Sequence, residues 1–161
     1  GHWLDAGWPS DRLAGVDVVA DRVELARLAC PGADIRLGDA GPLPFPDASF
    51  DVVTASVVLS SILDDQVRRA LCAEMLRVAR PGGMLLIYDF VVRNPRNPDV
   101  CPMPLRALVA DVGRPARGSI RLSPLVYAVA LGEAIHPRVA DLAMHLAPPT
   151  HRLTWWARRE T

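Results

Sequence analysis

Lysine is missing from this chain of 161 residues: all 18 of its basic side chains are arginine. That absence excludes Schiff-base, P-loop and Tyr-x-x-x-Lys chemistry, each of which needs an ammonium or amine at a fixed place. An excess of either charge is missing as well. The 18 acidic side chains cancel the basic ones, so the net charge offers no footprint for nucleic acid or an anionic membrane, and no polyanion partner is expected. Cysteine is scarce. Cys30, Cys72 and Cys101 are odd in number and far apart, which suits reduced thiols in a cytoplasmic protein better than disulfides or a metal site. The longest apolar run, Leu125 to Ile135, is broken by Gly132 and Glu133 and falls short of the ~20 residues of a bilayer span. Gly1 to Asp5 holds neither a basic nor an apolar leader segment, so no signal peptide is expected. There is no initiator Met either, which predicts a natural start upstream. What remains, 50% apolar and 22% charged, fits one compact domain over residues 1–161.

Along the chain, strand and helix signals alternate. Leu13 to Val18 reads as a short strand closing on Asp17. Ala20 to Cys30 reads as a helix whose Val23, Ala26 and Cys30 share a face before Pro31-Gly32 stops it. Asp34 to Leu37 alternates as a second strand and runs into the turn residues Gly38 to Pro42. Phe50 to Val58 is a β-branched run of the kind buried on both faces. A helix follows, with Asp64 and Asp65 at its N-terminus, an apolar row at Val67, Leu71, Met75 and Val78, and Arg77 and Arg80 near its end, where Pro81-Gly82-Gly83 stop it. Met84 to Phe90 is the next strand. Four prolines from Pro95 to Pro104 predict an extended connector without regular structure. Ser119 to Leu122 and His151 to Arg158 read as short strands, with Trp155 and Trp156 on opposite faces, and Leu125 to Leu146 between them reads as helical with a break near His136-Pro137. The pattern predicts a doubly wound α/β fold, mostly parallel, with an antiparallel edge.

In such sheets the ligand lies beyond the carboxyl ends of the strands. Asp17, Asp39 and Ser56 fall at those ends, and Asp89 closes the fourth strand. A carboxylate there can accept from both hydroxyls of a ribose, as in nucleoside-binding folds, but it can equally cap the helix that follows. Both readings of Asp17 stand at this point, and Asp39 could serve turn chemistry alone. His136, His145 and His151 have no partner acid at a telling spacing and read as surface or half-buried histidines.

Four segments in order, Gly15-Val16-Asp17-Val18, Gly38-Asp39-Ala40, Leu43 to Asp51 and Arg80-Pro81-Gly82-Gly83-Met84-Leu85, closely resemble the class I S-adenosylmethionine-dependent methyltransferases of the small-molecule, type 11-like kind. The resemblance implies a seven-stranded sheet and S-adenosyl-L-methionine as cofactor. Asp17 would bind the ribose hydroxyls, Val18 would pack on the adenine, and Gly38-Asp39-Ala40 would meet its amino group and a ring nitrogen. Ser56 would line the methionine end. Asp89 would face a small-molecule methyl acceptor, its alternative being a carboxylate satisfied by backbone N–H groups. No metal is implied. One part of the family pattern is absent: its first, central strand and the acidic-x-Gly-x-Gly-x-Gly loop do not precede Gly15. This predicts an N-terminally truncated domain that binds cofactor more weakly than a form carrying the loop. A nicotinamide-dependent oxidoreductase is the nearest rival, disfavoured by the missing lysine and by Asp39 and Pro81-Gly82-Gly83, which have no role in its fingerprint. A non-catalytic, methyltransferase-like binding element is the third reading.

Overall fold

The computed structural model describes residues 7–39, 41–93, 97–113, 116–122 and 150–158, which group into two compact units divided between Pro46 and Asp47. The expected helix over Leu125 to Leu146, with His136 and His145, lies outside the described residues, as does Ala40.

The first unit is a β–α–β element: β1 (Ala14–Asp17), α1 (Ala20–Ala29) and β2 (Asp34–Leu37). The two strands pair in parallel, Ala14 opposite Asp34 through Asp17 opposite Leu37. β1 is shorter than the apolar run suggested, and Val18, past its end, is 65% exposed. On α1 the expected inner row is only partly enclosed: Val23 is buried, while Ala26 and Cys30 are half-buried. Arg27 ties the helix to the sheet, its Nε and Nη2 donating to the Ile35 carbonyl at 3.0 and 2.8 Å. Arg36 grips Asp34 through two nitrogens, covers the Phe45 ring at 4.7 Å and donates to the Pro44 carbonyl, which fixes the loop after β2.

The second unit holds β3 (Phe50–Ser56), α2 (Asp65–Val78), β4 (Ala79–Phe90), α3 (Leu105–Val112), β5 (Gly118–Leu122) and β6 (His151–Ala157). Its sheet order is β3-β4-β6-β5, with β3 and β4 parallel and β6 antiparallel to both its neighbours. The expected α/β architecture is present, and the antiparallel strand lies one in from the edge. The core gathers Leu85 and Ile87 from β4, Trp156 from β6, and Leu71, Met75 and Val78 from α2. Trp156 is enclosed and Trp155 half-buried on the other face, as the alternation implied. No Cβ fits at Gly118, because the Trp155 ring lies directly on it.

α2 begins as the sequence predicts: the Asp64 carboxylate accepts from the N–H groups of Gln66 and Val67 at 2.7 and 3.2 Å, satisfying donors a helix start leaves free. Its buried row differs in one place. Val67 is 40% exposed and Arg68 is enclosed instead, because the Arg68 guanidinium is drawn in by Asp111 of α3, by Asp65 and by the Ile62 carbonyl.

Two further differences are local. The helix stops at Val78, and Pro81-Gly82-Gly83 belong to the start of β4 rather than to the stop of the helix. The pairing jumps from Phe50 opposite Ala79 to Val52 opposite Met84, so residues 80–83 bulge outward beside Asp51. The bulge needs its glycines: Gly82 has φ +76°, and a Cβ on Gly83 would lie 2.8 Å from the Arg80 carbonyl and 2.9 Å from that of Asp51. The proline-rich connector has no regular structure over its described residues 97–104, as expected, and is followed by α3, which the sequence reading did not anticipate. Its signal was present: Pro104 ahead of the first turn, Leu108 and Val112 on one face, and Gly113 in a left-handed cap at φ +72°.

Candidate functional site

In the first unit, parallel pairing brings the carboxyl ends of β1 and β2 side by side. Asp17 Oδ1 accepts from the Val19 N–H at 2.9 Å, the bond of an Asx turn ahead of the helix. Oδ2 faces outward, 3.9 Å from the Arg22 guanidinium, and the side chain is 37% exposed. The N-cap of α1 is Val19, with no side-chain cap bond, so Asp17 is not the cap that the sequence alternative allowed; its one backbone bond is a turn bond two residues on, and its other oxygen is within reach of Arg22. Val18 offers an exposed apolar surface beside it. The Gly38 N–H donates to the Asp17 carbonyl at 3.1 Å, and a Cβ on Gly38 would stand 3.0 Å from Val16 Cγ1, so glycine permits the close approach. Asp39 is exposed, one oxygen accepting from the Gly41 N–H at 2.7 Å. Asp17, Val18, Gly38 and Asp39 thus share one strand end.

In the second unit, β3 and β4 run out together, Ser56 opposite Tyr88. The exposed Ser56 ends β3, and the chain then turns through Val57 at φ +55° into the short 3-10 turn Leu59–Ser61. Asp89 is wholly enclosed. Its Oδ2 accepts from the Ser60 N–H at 3.0 Å and its Oδ1 from the Phe90 N–H at 2.8 Å. This is the geometry of the alternative raised from sequence, a carboxylate satisfied by backbone, and it leaves no oxygen facing outward toward an acceptor. His151 begins β6, its ring stacked at 5.0 Å and 5° on Tyr88 and 4.3 Å from Phe90, with Nδ1 2.9 Å from the Thr150 hydroxyl. Burial pulls its pKa below the ordinary histidine value, against an opposing push from the Asp89 charge. Burial, then the same charge, raises the Tyr88 hydroxyl. Sequence reasoning missed Val57 and Ser60: a β-branched residue reads as strand continuation, and a backbone donor leaves no mark in a sequence.

The match to known proteins is substantial. Residues 2–87 fit the family described as "Methyltransferase domain". Over 82 residues the chain is 45% identical to a demethylmenaquinone methyltransferase of Renibacterium salmoninarum, a stretch that takes in 48% of this chain and 33% of that protein; the chain therefore corresponds to only part of its relative's length. In structure it is similar to an S-adenosylmethionine-dependent methyltransferase of Mesorhizobium loti, with TM-score 0.66 and 19% identity over 98% of this chain and 84% of that one. It is similar also to a [4+2]-cyclase, with TM-score 0.64 and 17% identity over 93% of this chain and 67% of that one. Among the described residues no helix is long and apolar enough to cross a membrane. The Rossmann-like fold and the ordered motifs agree with the family match, and the chain belongs to the methyltransferase-domain family, the class I kind its sequence resembles.

Proposed function

We propose that this chain carries the transfer of a methyl group from S-adenosylmethionine to a small-molecule acceptor. The observation that supports it best is the cluster at the ends of β1 and β2: a half-exposed Asp17 carboxylate, an exposed apolar Val18, and an exposed Asp39 beyond Gly38, whose lack of a Cβ eases its approach to Val16. The donor set fits the group. A carboxylate only accepts, which suits the two hydroxyls of a ribose at Asp17 and the adenine amino group at Asp39.

S-adenosylmethionine supplies a methyl carbon activated on a sulfonium. When bound, it would give that carbon to a nucleophilic atom of the acceptor and leave as the neutral thioether. The protein's part is to orient the two partners in line and exclude water, which can supply much of the rate. The relatives named for demethylmenaquinone make that compound the first acceptor to assay.

Titration calorimetry with S-adenosylhomocysteine tests the reading, with Asp17→Ala as control. Heat that falls at least tenfold in affinity in the variant supports it, roughly the loss of one charge-assisted hydrogen-bond pair. No heat, or binding indifferent to Asp17, overturns it. The likeness to a [4+2]-cyclase favours one further reading, since the same fold serves other chemistry or binding alone. Under it, S-adenosylhomocysteine binds while no acceptor is ever methylated.

A further inference from the structure

Arg152, the second residue of β6, is only 9% exposed, yet among the described residues neither it nor Arg121 forms an ion pair. Its Nη1 donates to the Ser119 hydroxyl at 2.8 Å. Its enclosed Nε has no acceptor. Asp89 stands opposite Arg152 on β4, but the Asp89 oxygens accept from the Ser60 and Phe90 N–H groups instead. Opposite it on the other side, on β5, stands the exposed Arg121. Like charges directly opposed on neighbouring strands repel, and an enclosed guanidinium without a negative partner is costly. Burial, then the Arg121 charge, holds the Arg152 guanidinium below its ordinary pKa, in keeping with that unmet need.

Residues opposed across two strands share a face, as do residues two apart on one strand. Ser119 is opposite Thr154, so Ser119, Arg121, Arg152 and Thr154 gather on one face of β5 and β6. Thr154 is fully enclosed, and its hydroxyl also has no hydrogen-bond partner. The row Asp89, Arg152, Arg121 lies one residue inside the end marked by Phe90, His151 and Leu122. That end is the carboxyl end of both β4 and β5, where α/β sheets collect ligands. We propose that this face binds an oxyanion, the carboxylate or phosphate group of a small molecule, with Arg152 as the buried cation, Arg121 as the outer one and the Thr154 hydroxyl as a further donor. Such a group only accepts and offers paired oxygens to the guanidinium fork, while the Ser119 hydroxyl orients Arg152. The site lies wholly within the second unit and does not depend on the methyl-transfer reading.

The test titrates the full chain with inorganic phosphate and, separately, with acetate at constant ionic strength, following each ion by its phosphorus or carbon NMR signal. The parent is compared with Arg152→Met, Arg121→Gln, Thr154→Val and, as control, Arg12→Gln, which removes an exposed arginine of the first unit. Saturable binding of at least one ion to the parent is expected. Arg121→Gln should weaken it about tenfold and Thr154→Val about threefold, the losses of a charged and a neutral donor respectively. Arg152→Met should abolish saturation, and Arg12→Gln should leave the affinity within about twofold of the parent. Should Arg152→Met fail to fold, Arg121→Gln decides, because its side chain is exposed and its loss leaves no enclosed gap.

Saturation by phosphate alone assigns the site to a phosphate group, and saturation by acetate alone to a carboxylate. Absence of saturable binding of either ion to the parent overturns the proposal. So does binding that Arg121→Gln leaves unchanged, or that Arg12→Gln weakens as much as Arg121→Gln does, which is the signature of a diffuse attraction to positive charge. No cofactor enters the titration, so failure of the methyl-transfer reading and failure of this site are read separately.

Discussion

Replacing Asp111 with alanine removes the centre of the one enclosed ion pair among the described residues of the second unit. Its carboxylate lies 3.0 Å from Arg68 Nε, the two side chains being 4% and 8% exposed, and 3.6 Å from the more exposed Arg69. The variant loses one charge-assisted hydrogen bond, worth about 1.5–3 kcal/mol, and leaves a buried guanidinium short of a partner. Breaking a buried pair outright costs about 3–5 kcal/mol. The cost here is smaller, because Arg68 keeps the Ile62 carbonyl at 2.7 Å and the Asp65 carboxylate. A net loss of about 2–3 kcal/mol is expected, which lowers the midpoint of urea denaturation by about 1–2 M. α3 feels it most, since an eight-residue helix does not hold its shape without packing. The double variant Arg68→Met, Asp111→Leu replaces both charges with apolar groups and is expected to lie within about 1 kcal/mol of the parent. A midpoint unmoved by Asp111→Ala, or a double variant as unstable as the sum of its parts, refutes the reasoning.

Other outcomes follow from the same contacts. Asp64→Ala removes the acceptor for two N–H groups at the start of α2, and thermal denaturation should register a loss of about 1 kcal/mol. Gly83→Ala forces a Cβ against two carbonyl oxygens and is expected to cost about 1–3 kcal/mol, read by the same melt. Burial, then the Asp111 charge, pushes the Cys72 thiol up from 9.0 to about 12, against a smaller lowering by Arg68. Between those values the unfolded chain gives up a proton that the folded one keeps, so this group's contribution is full below pH 9 and is lost as pH rises toward 12. The parent should therefore lose more stability than Cys72→Ala across that range, and equal losses contradict the assignment.

Much of this was legible in the residues, and the exceptions have physical reasons. Asp34 to Leu37, Asp64 as cap, and the opposed faces of Trp155 and Trp156 follow from local chemistry, so the sequence reading and the structure agree. Asp17 and Asp39 sit at strand ends as the pattern required, and their second role, holding nearby backbone N–H groups, is equally local. What escaped depends on residues far apart in sequence. Val67 is displaced from the buried row by an Arg68 whose partner lies 43 residues away. Asp89 is turned inward by a backbone donor 29 residues upstream. Pro81-Gly82-Gly83 read as a helix stop, yet Gly83 is required by the Asp51 carbonyl on a neighbouring strand. α3 was obscured by the prolines ahead of it, which mark its start rather than forbid it.

The central claim is methyl transfer, and the most direct measurement follows the methyl group itself. The protein is incubated with S-adenosylmethionine deuterated in its methyl group and with demethylmenaquinone or related small acceptors, and the products are weighed by mass spectrometry. The account predicts an acceptor carrying the deuterated methyl together with one equivalent of S-adenosylhomocysteine, both suppressed by Asp17→Ala. Binding of S-adenosylhomocysteine with no labelled product from any acceptor in the panel contradicts it.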